Sequence, residues 1–224
     1  MPPERRPIIV RIVLVHGTRT SSQIWDSQVA ALERAGHQSH AIDLPAHGSR
    51  RGERFSFAGA LAAIDAAVET AEEPPLLVGL SLGGYVTLAY AAEHQRRVGG
   101  VMLSGCSTEI AGKPLLAYRS LTGRLAAAFR PSGSWHVVED MLASMHGYSA
   151  LADLHRLRMP VWLVNGRRDP FRWGERRLLA SNPGARLHVV PGAGHDVNAH
   201  APTAYNRILL QAAETLDGAP VLAA

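Results

Sequence analysis

The sequence predicts an α/β fold: a mainly parallel sheet of about six strands, with helices on both faces and a small helical cap. Three observations lead there. Six short apolar runs, most of them rich in β-branched residues, recur along the 224 residues, and each is followed by a stretch whose apolar positions have helical spacing. Parallel neighbours need a crossover, and a right-handed helical crossover is the usual one, so the alternation implies a sheet covered on both sides. Finally, the alternation breaks once, between about 107 and 158, where helical signals continue with no convincing strand.

In chain order, the run at 8–15 (IIVRIVLV) ends at His16-Gly17 and suits a central strand entering a turn. Ser21 or Ser22 is placed to cap a helix reaching about Ala35, on which Ile24, Trp25, Val29 and Leu32 share a face, and Gly36 supplies the stop. A short strand over 37–43 leads into Asp43-Leu-Pro-Ala-His-Gly-Ser-Arg, which has loop chemistry. The alanine-rich stretch 57–72 reads as a helix closed by Pro74-Pro75. A buried strand at 76–80, a helix at 83–95 and a strand at 98–104 follow. Helical signals at 115–129, 134–146 and 149–156 fill the break, and strands are expected at 160–165 and 186–190. A last helix spans 202–216, with Pro202 in its first turn and a frayed end over 217–224. The expectation is one domain over 1–224, with 107–158 inserted between two sheet strands as a helical cap or lid.

Composition narrows the function classes. The 23 basic residues, all arginine except Lys113, give a formal charge of only +4 against 19 acids and are scattered along the chain. The densest stretch, Arg167 to Arg177, also holds Asp169 and Glu175, so no nucleic-acid partner is expected. Cys106 is the single cysteine, which excludes an intrachain disulfide and a cysteine-based metal site and suits a reducing compartment. Arg11 interrupts the N-terminal apolar stretch too early for a secretory signal, and a cytoplasmic location is expected. The uncharged run at 74–92 contains Gly79, Ser81, Gly83, Gly84 and Thr87 in its middle, so a strand, a turn and a helix are expected there instead of a membrane span. Asp43 with His47, or Asp196 with His200, lacks a second ligand pair, and no metal is expected.

Gly79-Leu-Ser81-Leu-Gly83 fits G-x-S-x-G at the junction of a buried strand and a helix. A serine on so sharp a turn has strained torsions, and small residues two before and two after it prevent clashes with the neighbouring strand and helix. Other segments agree in order. His16-Gly17 with Trp25 eight residues on resembles the oxyanion-loop segment of α/β-hydrolases. Asp43-Leu-Pro-Ala-His-Gly resembles their D-x-P-G-H-G loop, with Ala46 in place of a glycine. Asn165-Gly-Arg-Arg-Asp169-Pro170 resembles the strand end that carries their acid, and Gly192-Ala-Gly-His195-Asp196-Val their histidine loop. Over about Ile8 to Leu216 the chain resembles a small, capped, six-stranded member of the α/β-hydrolase fold family.

A serine hydroxyl is a poor nucleophile at neutral pH and needs an imidazole to take its proton. The resemblance assigns Ser81 as nucleophile, His195 as base and Asp169 as the acid that orients it, with Glu109 at the other position where some relatives keep their acid. Leu82, following the nucleophile, supplies one oxyanion-hole N–H; the resemblance gives Thr18 as the second. His16, His47 and His94 are read as structural. In the cap, Tyr118, Phe129, Trp135, Met141, Met145 and Tyr148 either line a mainly apolar acyl pocket or pack the cap onto the body, and both readings stay open. The implied reaction is hydrolysis of a small-molecule carboxylic ester or thioester through an acyl-Ser81 intermediate, with no cofactor. A carbon–carbon hydrolase, lactonase or cyclase would use the same residues, and a ligand-binding or signalling protein would keep the fold with little turnover.

Overall fold

The sheet consists of β1 (Arg11–Val15), β2 (Gln38–Ile42), β3 (Leu76–Leu80), β4 (Gly100–Ser104), β5 (Val161–Gly166) and β6 (Arg186–Val190). All neighbours are parallel, in the order β2-β1-β3-β4-β5-β6. The structure is a computed structural model and describes residues 9–111 and 135–217. The chain steps outward from β1 to β2, then crosses back to β3 and runs the other way. Order therefore reverses between β1 and β3, where open α/β sheets leave a crevice at the carboxyl ends of the strands. Val15 of β1 pairs with Gly79 of β3, which brings the His16 loop beside the turn that follows β3.

Strand alternation divides the core in two. Ile12, Leu14, Leu76, Val78 and Leu80 face one side, where they meet Trp25, Leu32 of α1 (Asp26–Arg34), and Tyr205, Leu209 and Ala212 of α8 (Pro202–Asp217). Val13, Val15, Leu77, Val101 and Leu103 face the other, against α2 (Phe57–Glu69) and α3 (Leu82–Glu93). Each such fully buried aliphatic side chain stabilises the fold by roughly 1.5–3 kcal/mol before the entropy cost.

Two local expectations change. Neither Ser21 nor Ser22 caps a helix: Ser21 makes no capping bond, and the Ser22 N–H donates to Asp43 Oδ1 at 2.8 Å, so a 3₁₀ turn over Ser22–Trp25 precedes α1. Ser56 does cap α2, accepting from the Gly59 N–H at 3.0 Å. Within the stretch 107–158, α4 (Trp135–Ser144) and α5 (Ala150–Arg156) are described. The helix expected at 115–129, the candidates Tyr118 and Phe129, and the end expected to fray at 218–224 lie outside the described residues. The α5 helix packs against α3 and α6 (Glu175–Ser181), so it belongs to the helical layer that covers the sheet. The uncharged run at 74–92 resolves into β3, a turn and α3, and among the described residues no helix is long and apolar enough to cross a membrane.

Candidate active site

Ser81 is the one residue between β3 and α3, and it holds φ +53° and ψ −115°, a conformation rare for a residue with a Cβ. Such a backbone costs about 1–3 kcal/mol and persists only where its surroundings over-determine it. Here the Ser81 N–H donates to the Ser104 carbonyl at 2.7 Å, anchoring the turn to β4. A Cβ on Gly79 would overlap the Gly83 carbonyl and come within 2.6 Å of Gly84 Cα, and one on Gly83 would overlap the Val15 carbonyl. On Gly84 it would meet Cys106 Sγ at 2.7 Å. Glycines at these positions let β1, β3 and α3 converge on the serine.

His195 lies in the loop between β6 and α7 (Val197–His200). Its Nε2 is 2.9 Å from Ser81 Oγ, and its Nδ1 is 3.1 Å from each carboxylate oxygen of Asp169. A carboxylate only accepts, so the imidazole proton belongs on Nδ1, and the Ser81 hydroxyl then donates to Nε2. Asp169 sits just past β5, 4% exposed, and Oδ1 also accepts the Phe171 N–H at 2.8 Å. That bond closes the loop after β5 and holds the carboxylate facing the ring. Glu109 is elsewhere: its carboxylate accepts from the Leu151 N–H at 2.9 Å and the Ala111 N–H at 3.0 Å, satisfying an orphan amide in the first turn of α5.

A sequence model of the alpha/beta hydrolase family matches residues 12–208. This chain belongs to the alpha/beta hydrolase family. Among its relatives, the pimeloyl-[acyl-carrier protein] methyl ester esterase of Neisseria meningitidis serogroup A is 26% identical over 230 residues, spanning 84% of this chain and 71% of that protein. In solved structures, NosK from Streptomyces actuosus superposes with a TM-score of 0.73 at 23% identity, over 93% of this chain and 99% of that one. The monoacylglycerol lipase of Paleococcus ferrophilus gives 0.68 at 22%, over 92% and 94%. The two structures bear on the fold alone; the family match and the esterase relative make the chain a hydrolase.

Around the three central side chains, this hydrolase has supports that the sequence reading did not single out. Gly105 has φ +63°, and a Cβ there would sit 2.9 Å from His195 Cε1, so only glycine lets the ring approach β4. The Phe171 ring stands edge-on to His195 with centroids 5.1 Å apart. Asn165 ties two strand ends together, accepting from the Gly105 N–H at 3.1 Å and donating to Ser107 Oγ and Glu175 Oε1 at 2.8 Å each. Of these, a glycine directly after a strand was the one signal available in sequence.

On the β1 side, His16 is wholly buried. Its Nε2 accepts the Leu44 N–H at 3.1 Å, so Nδ1 carries the proton and donates to the Gly17 carbonyl at 2.8 Å. Burial chiefly, with His47 nearby, lowers its pKa to about 4 and keeps the ring neutral. Burial also bears on Asp43 in the opposite direction, but hydrogen bonds from Ser22 and Ser49 outweigh it and hold that carboxyl at about 2. His47 Nδ1 lies 2.9 Å from the Pro45 carbonyl, so His47 and Asp43 are both engaged in shaping their loop. A Cβ on Gly17 would be 3.2 Å from Ser81 Cβ, so Gly17 lies against the serine, and the Oγ1 of the next residue, Thr18, donates to Met141 Sδ at 3.1 Å.

Of the remaining pocket candidates, Trp135 opens α4 and its side chain lies outside the described set. Met145 is 2% exposed within the core cluster. The Tyr148 ring lies between Phe57, to which it is tilted, and Tyr85, which it meets edge-on, and its hydroxyl donates to the Tyr85 carbonyl at 3.2 Å. Met145 and Tyr148 therefore pack this stretch onto the body, whereas Met141 borders the Thr18 loop.

Proposed function

We propose that this hydrolase cleaves a carboxylic ester or thioester through an acyl-Ser81 intermediate, using a Ser81-His195-Asp169 triad. The observation that carries the reading is the unbroken relay Ser81 Oγ, His195, Asp169 at 2.9 and 3.1 Å. As Ser81 Oγ attacks the acyl carbon, His195 Nε2 takes its proton, and Asp169 stabilises the imidazolium through Nδ1–H without itself taking a proton. The proton then passes to the leaving alcohol or thiol. Water, deprotonated by the same nitrogen, attacks the acyl-Ser81 carbonyl and releases the acid.

The oxyanion needs preorganised donors. The Leu82 N–H is the first amide of α3, without an intrahelical acceptor and at the positive end of the helix. The Gly17 carbonyl is held by His16 Nδ1–H and by Thr20 Oγ1–H, both at 2.8 Å. In a trans peptide the following N–H points the opposite way, so the Thr18 amide is turned away from both and serves as the second donor. The stretch 107–158 is read as the part that shapes the acyl pocket within a single domain, with Met141 the member nearest the oxyanion loop. The esterase name of the Neisseria relative favours an ester, and an acyl group delivered on a carrier, over lactone opening or carbon–carbon cleavage.

The test combines stoichiometric labelling of Ser81 by a fluorophosphonate with multiple turnover of a p-nitrophenyl ester. Labelling without turnover would favour a binding or signalling role on the same fold.

A further inference from the structure

Trp173 is 76% exposed and, with Ile9, is one of two large apolar side chains left in solvent among the described residues. Isolated exposed apolar residues are ordinary; this one differs in being held rigidly and close to the chemistry. Two residues earlier, Phe171 packs on His195, and its carbonyl accepts the Thr108 hydroxyl at 2.7 Å. Arg172 is clamped to Glu175 through two bonds of 2.9 and 2.7 Å. On the other side Gly174 lies so close to the Ser107 carbonyl that a Cβ there would overlap it. The loop is pinned on both sides of Trp173, so the indole is presented outward at little further entropy cost.

Its surroundings are cationic. Five arginines fall between 167 and 177, and the two carboxylates among them, Asp169 and Glu175, are buried and already engaged. Arg167, Arg168, Arg176 and Arg177 are exposed and form no ion pair among the described residues. The NH1 group of Arg172 donates to the Arg167 carbonyl at 3.2 Å, which ties the middle of the stretch to its start. Exposed cations on both sides of a fixed aromatic in the chain, without ion-pair partners among the described residues, match a partner with an acidic rim and an apolar centre. A free small ester has no group that reaches such a surface outside the pocket.

We infer that Trp173, Arg176 and Arg177, with Arg167 and Arg168, form a docking surface for an acidic carrier protein that delivers its acyl group on a flexible arm to Ser81. This rests on the ester or thioester reading above. The surface adjoins the acid loop, so a carrier seated there holds the arm's tip at the His195 side of the crevice.

The experiment separates docking from chemistry. A purified acidic acyl-carrier protein is titrated against the Ser81→Ala variant, with and without Arg176→Glu and Arg177→Glu, and with Trp173→Ala, by calorimetry. Saturable binding that weakens about tenfold or more in either background, and weakens as salt is raised, is the expected result. Absence of binding, binding indifferent to these substitutions, or equal salt-sensitive binding to vesicles containing phosphatidylglycerol would overturn the assignment. Turnover of an acyl-pantetheine thioester by the protein with Ser81 intact, measured in parallel, tests the hydrolytic reading alone. If the carrier binds as expected and that thioester is not cleaved, the surface stands and the reaction must be revised.

Discussion

The turn at Ser81 and the described part of the stretch 107–158 both border the crevice, yet they are held in place by different kinds of contact. Around Ser81 the limiting neighbours are backbone atoms: the Gly83 and Val15 carbonyls and Gly84 Cα. They cannot yield unless β1 or α3 moves. Helix α4 meets the body through side chains: Val137 in the core cluster, Met141 on Thr18, and Asp140 on Arg54, the last with Nε to Oδ2 at 2.7 Å on a largely exposed arginine. Such contacts adjust by rotamer changes, and an exposed ion pair contributes little. The contrast suggests that reactivity is built into the part without slack and selectivity into the part that has it.

The strongest test of that division is at the nucleophile. Ser81→Ala is expected to leave the fold intact, abolish fluorophosphonate labelling and lower kcat by about four to six orders of magnitude. Retention of most ester turnover by the purified variant would remove Ser81 from the mechanism. Next comes the acid, because two carboxylates were candidates and only one faces the ring. Asp169→Asn should lower kcat/KM by about four orders by favouring the wrong His195 tautomer. Glu109→Gln should lower it less than about tenfold, under ~1.4 kcal/mol of barrier, while reducing the melting temperature because α5 loses an acceptor for the Leu151 N–H. The reverse pattern in kinetics would transfer the acid role to Glu109.

Gly83→Ala probes the rigid region without touching any reacting group. The added methyl overlaps the Val15 carbonyl, so β1 must shift, and denaturant titration should show a loss of about 3 kcal/mol or more. A variant as stable as the parent would mean the turn has slack after all.

What could be read from sequence follows the same division. Strands buried on both faces appear as continuous apolar runs, and a serine at left-handed φ must be flanked by small residues, so β3, the turn and α3 are legible from neighbours in the chain. The motifs likewise pointed to His195 and Asp169; the fold brings His195 to Ser81 across 114 residues and to Asp169 across 26. Partners chosen across long separations were not legible. The capture of Ser22 by Asp43, the use of Glu109 at the start of α5, and the laying of α5 into the layer beside α3 depend on where distant segments come to rest. Gly105 escaped notice because its purpose, room for a ring 90 residues later, exists only in the fold.

His16 offers a pH test of the oxyanion loop. Its pKa is near 4 in the fold against an ordinary 6.5, so between those values the unfolded chain binds more protons. The stability that the neutral ring provides is complete above pH 6.5 and is lost as pH falls towards 4, amounting to about 3 kcal/mol. His16→Asn should be less stable at pH 7.5 and should show a flatter stability profile between pH 6.5 and 4, measured by urea denaturation. Asp43, held near 2, contributes only at the acid end of that window, as the unfolded carboxyl begins to titrate, and His40, His47 and His188, whose pKa values burial also lowers, are common to parent and variant, so the comparison rests on the difference between the two profiles. Parallel profiles for parent and variant would mean that His16 already titrates normally.

The smallest effect is expected where the adjustable region touches the rigid one. Met141 Sδ accepts the Thr18 hydroxyl at 3.1 Å, a weak bond to a flexible side chain, and Met141 is only partly buried. Met141→Leu keeps the volume and removes the acceptor, so stability should change by less than about 1 kcal/mol. Because Thr18 would still present its backbone N–H, fixed through the Gly17 carbonyl, the labelling rate with a small fluorophosphonate should hold within about twofold. The ratio of kcat/KM between a short and a long p-nitrophenyl ester should move by about threefold, which is under ~0.7 kcal/mol, since the proposed function puts this side chain against the acyl group and not the oxyanion. If labelling and both esters fall together, Met141 is setting the oxyanion loop itself, and the boundary between the two regions lies on α4 instead of at Thr18.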